Sequence, residues 1–345
     1  MKMNHKGSFR PEDVTLLLND ITGLVEPKPA EERERLIQSG VHYSEMLPME
    51  YTPSERYVSE YNRALEDFAG ETARAVVAVA EKIKTRGKTV LISLARAGTP
   101  IGVLIKRYFH RKYGLYAPHY TISIVRGRGI DKVAMGQILE KHSAADLQFI
   151  DGWTGKGAIL EELSAAAGAF IGTHDKRELL AVLADPANVT ELCGTHEDIP
   201  IASSFLNATV CGLMSRTVIR PGIGANELHG VVFYEHLRAE DRTYEFIERV
   251  ESCFDVHEYL GMDEIREIAW KFGISDINFV KPGIGEATRV LLRRVPDMVL
   301  IAENAPPREV AHLASLAEEK HVPVIRYPLR RYKACGIIKA LWPDV

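Results

Sequence analysis

From residue 88 onward the chain alternates short apolar strands with helical segments, and its strands run into glycine-bearing loops. Segments 88–94 (KTVLISL), 119–125 (HYTISIV), 146–150 (DLQFI) and 178–185 (ELLAVLAD) read as strands. Helices are expected at about 100–113, 131–141 and 156–167 between them. Repeated β-α-β units of this kind imply a parallel sheet covered by helices, an α/β fold. Ligands of such sheets sit at the carboxyl ends of the strands, where all three glycine-bearing loops fall.

One loop is chemically specific. Residues 149–157 (FIDGWTGKG) take the chain from a strand ending at Asp151, through a glycine turn, into a helix. The strand fixes the acid, Gly155 and Gly157 let the backbone approach a ligand closely, and the first helical N–H groups point into the turn. The result is a phosphate cradle beside a carboxylate, which suits a sugar phosphate. The loop is neither G-x-x-x-x-G-K-[ST] nor G-x-G-x-x-G, so a P-loop and a dinucleotide fingerprint are both excluded.

The flanking regions complete the organisation. Residues 1–50 are punctuated by proline and read as short elements wrapping a core. Tyr57, Tyr61, Leu65, Phe68, Thr72, Val76, Val79 and Ile83 recur every three or four residues, which predicts a long amphipathic helix over about 54–86. Residues 190–245 show no clean period, and 243–253 reads as helix. A fresh alternation begins at 256, with helices at 258–271, 285–293, 308–320 and 332–341 and strands at 276–280, 297–302 and 323–327. We therefore expect a domain over 1–255 and a second, smaller one over 256–345.

Composition narrows the class. Apolar residues make up 46% of the 345 and charged residues 26%, the balance of a globular protein. A net charge of −4 gives no whole-chain signal for nucleic acid. Cys193, Cys211, Cys253 and Cys335 show no C-x-x-C spacing and fit reduced thiols in a cytoplasm. There is no signal-peptide layout, and no apolar run approaches the roughly 20 residues of a membrane span. A cytoplasmic protein without a membrane partner is expected; self-association is left open.

Three loops taken together, SLARAGTP (93–100), IVRGRGID (124–131) and FIDGWTGKG (149–157), resemble those of type I phosphoribosyltransferases. That resemblance implies that Asp151 contacts the ribose hydroxyls of phosphoribosyl pyrophosphate or a nucleotide-like ligand. Thr154, Gly155, Lys156 and Gly157 would hold the 5′-phosphate through N–H groups and the threonine hydroxyl. Arg96, Ala97, Gly98 and Thr99 would form the pyrophosphate loop, with Arg96 offering a forked donor. Arg126 and Arg128 would lie on a mobile loop, and Mg²⁺ would accompany the pyrophosphate. Two adjacent acids usually precede the glycine loop; here Gly152 follows Asp151. Asn207, Ser215, Arg216, His229 and Tyr234, polar groups among apolar ones, are candidates for a pocket holding a nucleobase-like acceptor.

FIDGWTGKGAI and SLARAGTP, with HYSEMLP (42–48) and LNATVCGLMSRTV (206–218), resemble more specifically the StiP family of bacterial tellurium-resistance and stress operons. This resemblance spans nearly the whole chain. It implies a phosphoribosyltransferase-like domain followed by a Pelota-type RNA-binding domain, in a family often labelled cysteine protease. A thiol protease needs a thiolate, a histidine and oxyanion donors. Cys193 and His196 form the only close pair in sequence, and no nucleophile elbow surrounds them. No side-chain cluster at metal spacing is apparent either.

Residues 276–327 resemble the L7Ae/Pelota RNA-binding fold, whose first loop reads G-x-N-E-x-x-K. Gly283, Glu286 and Arg289 occupy matching positions, Arg replacing Lys, and Gly285 stands in place of the Asn. From 277 to the end the chain carries 11 Lys+Arg against 7 Asp+Glu. The excess suits a phosphate backbone met by Lys281, Arg289, Arg293, Arg294, Arg330, Arg331 and Lys333. The sequence thus supports either a phosphoribosyl-transferring enzyme with an RNA-binding domain or a non-catalytic ligand sensor tethered to an RNA reader.

Overall fold

The computed structural model describes residues 6–172, 175–220, 224, 226–254 and 262–341. The chain divides into two compact units, Met1–Phe254 and Asp255–Val345.

In the first unit β1 (Thr15–Leu16) precedes α1 (Ala30–Gln38) and α2 (Glu55–Thr85). Then follow β2 (Val90–Leu94), α3 (Gly98–Tyr113), β3 (His119–Ile122) and a small hairpin, β4 (Ile124–Val125) and β5 (Gly129–Ile130). After α4 (Lys132–Leu139) come β6 (Leu147–Ile150), α5 (Ala158–Ile171), β7 (Leu180–Ala184), β8 (Cys193–Thr195) and α6 (Thr243–Glu251). The strands lie in the order β1-β3-β2-β6-β7-β8, and every pairing is parallel. The expected parallel sheet is present, and β2, β6 and β7 are buried along their whole length.

Helix α2 shows how the sequence builds one layer. Ser54 caps it by accepting the Tyr57 N–H, Glu55 lies in its first turn, and Lys82 and Lys84 lie in its last, matching the helix dipole. Its stripe of Tyr61, Leu65, Ala69, Val76, Val79 and Ile83 is buried. Large side chains buried in this way stabilise by about 1.5–3 kcal/mol each, more than helix propensity supplies. Tyr57 stands 47% exposed, so the stripe starts one turn later than the spacing suggests.

A buried ion-pair network ties the N-terminal segment to this layer. Arg107 on α3 holds both oxygens of Asp13, at 3.1 and 2.8 Å, and also Glu251 of α6. The Tyr244 hydroxyl donates to the same Asp13 carboxylate at 2.7 Å. These bonds hold the Asp13 carboxyl below its usual range against the opposing effect of burial.

In the second unit α7 (Met262–Lys271), β9 (Val280–Pro282), α8 (Ile284–Arg293), β10 (Pro296–Ala302), α9 (Pro307–Glu319), β11 (Val324–Tyr327) and β12 (Ala334–Ile338) build a sheet of order β9-β12-β10-β11. Its β10–β11 pair is parallel; β12 is antiparallel to both neighbours. The start of the expected helix at 258–271 lies outside the described residues. The helix expected at 332–341 is instead β12. An apolar run of this length carries no usable period, and all five of its residues are buried mid-sheet. The strand expected at 276–280 begins at Val280, after a 3₁₀ turn at Ile277–Phe279.

Candidate functional site

Two loops meet at the carboxyl edge of the central strands. After β2 the chain passes through Arg96 and Ala97 into α3, and after β6 it passes through Asp151 to Gly157 into α5. Gly98 is pressed against the second loop. A Cβ there would stand 2.4 Å from the Ile150 carbonyl oxygen and 3.0 Å from the Asp151 Cα, so only glycine fits. Gly157 closes the second turn with φ of 77°. The N–H groups of Arg96 and Ala97, and those of Gly155, Lys156 and Gly157, make no hydrogen bond among the described residues. Both helix N-termini therefore present free donors on the same edge of the sheet. Lys156 is exposed and its side chain has no partner among the described residues.

Asp151 stands where these loops touch. Burial pushes its carboxyl up to about 7, and only the Gly152 N–H, at 2.8 Å, opposes that shift. Arg96 turns toward the later part of the chain. It donates to the Asn207 side chain at 2.8 Å and to the Met214 carbonyl at 3.0 Å, with Glu50 at 3.7 Å. Glu50 also accepts the Ala208 N–H, pinning the 206–214 segment above the first loop. Cys211 is buried here; burial raises its thiol to about 11, and the charges of Arg96, Glu50 and Asp151 all act on it.

Arg216 and Tyr234 belong to the same neighbourhood. Arg216 donates to the Tyr43 and Met46 carbonyls and lies over the Tyr43 ring, 5.1 Å from its centre. Burial lowers its pKa, and the positive charges of Arg33 and Arg96 lower it further. Its Nε and that of Arg33 are buried without a hydrogen-bond partner among the described residues. Tyr234 is pushed up to about 12 by burial and by Glu50. Asp151, Arg96, Asn207, Arg216 and Tyr234, separated widely in sequence, are thus linked by hydrogen bonds and mutual charge effects around Arg96 and Glu50.

Other expected residues are placed differently. The Thr154 hydroxyl donates to Asp185, and its N–H donates to the Ala184 carbonyl at 3.0 Å, so neither is free to hold phosphate. The Thr99 side chain is buried and accepts from the Thr121 hydroxyl at 3.2 Å, facing the core rather than the loop. His229 bonds Ser123 through Nδ1 and Asp131 through its backbone N–H, at the base of the hairpin, and makes no contact with Arg96, Asn207, Arg216 or Tyr234. Ser215 is buried, its hydroxyl spent on the Arg216 carbonyl and the Val232 N–H. The loop expected to be mobile is the β4–β5 hairpin, tied down by the Tyr43 hydroxyl, by Glu162 and by an Arg128–Glu45 ion pair. The Arg126 side chain has no partner among the described residues.

A second cluster joins the Cys193–His196 pair to Asp185. Asp185, Cys193 and His196 bring their ligand atoms within 4.8 Å of one another. Asp185 carries a usable signal in the sequence, because it ends the expected strand 178–185 at the carboxyl edge of the sheet. Glu50, Tyr43 and Arg33 carry no local signal, since their partners are remote in sequence.

In the second unit Glu286 and Arg289 form an ion pair one helical turn apart on α8. Gly283 precedes the helix with φ of 96°. Lys281, Arg293 and Arg294 have no side-chain partner among the described residues. Arg330 pairs with Glu267 and Lys333 with Glu309, whereas Arg331 donates its backbone N–H to Glu264.

Together these features define a two-part protein: a parallel-sheet domain whose loops at the carboxyl edge carry N–H groups without a partner among the described residues, then a smaller domain in which Lys281, Arg293 and Arg294 flank α8 without a side-chain partner among those residues. The family described as "Tellurite-like stress resistance cysteine protease StiP" matches residues 7–251, and the "PELOTA RNA binding domain" matches 259–340. The chain belongs to the StiP family. It is 34% identical to "Cysteine protease StiP" of Acinetobacter baylyi across 99% of this chain and 96% of that protein. Over 18% of the chain, and 52% of the relative, it is 35% identical to the "13 kDa ribonucleoprotein-associated protein" of Kluyveromyces lactis. No helix among the described residues is long and apolar enough to cross a membrane.

Proposed function

We propose that the first unit binds a phosphorylated ribose donor of the phosphoribosyl pyrophosphate type and transfers its ribosyl group to a nucleobase-like acceptor. The observation that carries this reading is the junction at Gly98 and Asp151, where two sets of N–H groups without a partner among the described residues flank a half-buried acid. The amides of 155–157 and Lys156 take the 5′-phosphate. Arg96 and the amides beside it take the pyrophosphate. Asp151, close to half-protonated at neutral pH, can donate to or accept from the ribose hydroxyls. In the transfer, the bond from the anomeric carbon to pyrophosphate oxygen breaks with its electron pair on the leaving group, and an acceptor nitrogen takes the carbon. Fixed cations and dipoles stabilise the departing charge. Mg²⁺ fits this donor set, because it needs only one or two protein carboxylates beside ligand phosphates, and it would neutralise pyrophosphate charge.

In the second unit RNA is the proposed partner, contacted by Lys281, the Gly283 turn, and Glu286 and Arg289 on α8. Its match to an RNA-binding domain and its unpaired cations support this.

Proteolysis, the activity in the relative's name, fits the geometry less well. Cys193 is 1% exposed, and burial raises its thiol pKa, the reverse of what a nucleophile requires. The deciding experiment is calorimetric titration with phosphoribosyl pyrophosphate and Mg²⁺, followed by a pyrophosphate-release assay against nucleobases. Saturable binding lost in Arg96→Ala supports the reading; no binding in the wild-type chain refutes it.

A further inference from the structure

The proposed transfer does not use Cys193, His196 or Asp185, although Asp185 accepts from Thr154 of the neighbouring turn. Asp185 directly follows β7 and is fully buried. One oxygen accepts the Thr154 hydroxyl and the other accepts the Thr190 N–H at 2.9 Å. No lysine or arginine among the described residues lies within ion-pair distance of it; its one such neighbour is His196, 3.6 Å from Oδ2. A buried carboxylate without a counter-charge is costly, and pairing or metal coordination are the usual remedies. The Cys193 sulfur lies 3.7 Å from His196 Nδ1 and 3.4 Å from Nε2. The His196 side chain is 50% exposed and opens the cluster to solvent.

We infer that Asp185, Cys193 and His196 form a binding site for a zinc-class divalent ion. A tetrahedral ion with bonds of about 2.0–2.3 Å sets its ligand atoms roughly 3.3–3.6 Å apart. The Asp185 carbonyl takes the Nδ1 N–H, which leaves Nε2 as the ligand: it lies 3.4 Å from the sulfur, and one ligand atom from each of the three side chains lies within 4.8 Å of the others before any relaxation. One thiolate, one imidazole and one carboxylate suit zinc better than magnesium or calcium. Three protein ligands leave a fourth position facing the solvent beside His196. The Asp185 carbonyl, 3.0 Å from Nδ1, orients the ring. The same carboxylate bonds Thr154 of the phosphate turn, so the ion would share a ligand with that turn's framework.

The test uses the full chain, purified with chelator and reductant and then titrated with Co²⁺ and Zn²⁺. A stoichiometric ion with a thiolate-to-cobalt charge-transfer band, displaced by Zn²⁺, is expected. His196→Gln changes a half-exposed side chain and spares the fold; it should weaken binding by at least tenfold. Cys193→Ser should remove the band. No band in the wild-type chain, or unchanged affinity in His196→Gln, overturns the proposal. So does peptide cleavage that resists chelation yet disappears in His196→Gln, which would make the pair a nucleophile and its base. Phosphoribosyl pyrophosphate binding is scored separately, so either reading can fail alone.

Discussion

The Arg96 guanidinium donates to the Asn207 side chain at 2.8 Å, linking the loop after β2 to a segment more than a hundred residues later. Asn207 therefore sets the direction in which Arg96 points. Asn207→Ala should weaken phosphoribosyl pyrophosphate binding roughly tenfold, the size of one hydrogen bond to a charged group, while leaving the melting temperature nearly unchanged. Calorimetry beside a thermal melt checks both.

Asp151 predicts a pH dependence. Its carboxyl is raised by burial to about 7, above the roughly 3.9 of an unfolded chain, so the folded state holds the extra proton between those values. Stability should fall as pH rises through that window and level off above it. Asp151→Asn should remove the loss, stabilising the ligand-free protein at pH 8 by up to about 4 kcal/mol. The same variant should bind the sugar phosphate worse. Urea unfolding at pH 5 and pH 8 would show it; equal gains at both would contradict the assignment.

Gly98→Ala tests the junction itself. A methyl group 2.4 Å from the Ile150 carbonyl oxygen cannot be accommodated by side-chain motion, since its neighbours are backbone. We expect destabilisation of about 3 kcal/mol or more, read from denaturant unfolding. Gly155→Ala, with no atom within 4 Å of its Cβ position, is the control and should stay near wild type.

For the second unit, RNA affinity should fall with salt. Lys281→Ala, Arg293→Ala and Arg294→Ala should each make the slope of log affinity against log salt shallower, by about 0.7–0.9 for every phosphate left unneutralised. Arg331→Ala should change it less if its side chain touches no phosphate. Fluorescence anisotropy with a structured RNA at several salt concentrations measures these slopes.

The parallel sheet is legible in the sequence because β2, β6 and β7 are continuous apolar runs separated by helix-length segments, a pattern few architectures tolerate. The Asp151 turn is legible because its glycines and acid are local. Thr154 departs from expectation for the opposite reason: its hydroxyl is taken by Asp185, thirty-one residues away, and composition says nothing about such a partner. The same applies to Glu50, whose role emerges only when Arg96 and Ala208 fold onto it. At β12 the difficulty is length, since Ala334–Ile338 is too short for either period to show.

The Asp13–Arg107–Glu251 network makes the segment around Asp13 and β1 part of the architecture. A shortened protein beginning at Gly23 would strip β1 from β3 and leave Arg107 facing Glu251 without Asp13. The naked strand margin would then be free to recruit another molecule. Such a truncation should come out of expression as aggregate, however sound the loops after β2 and β6.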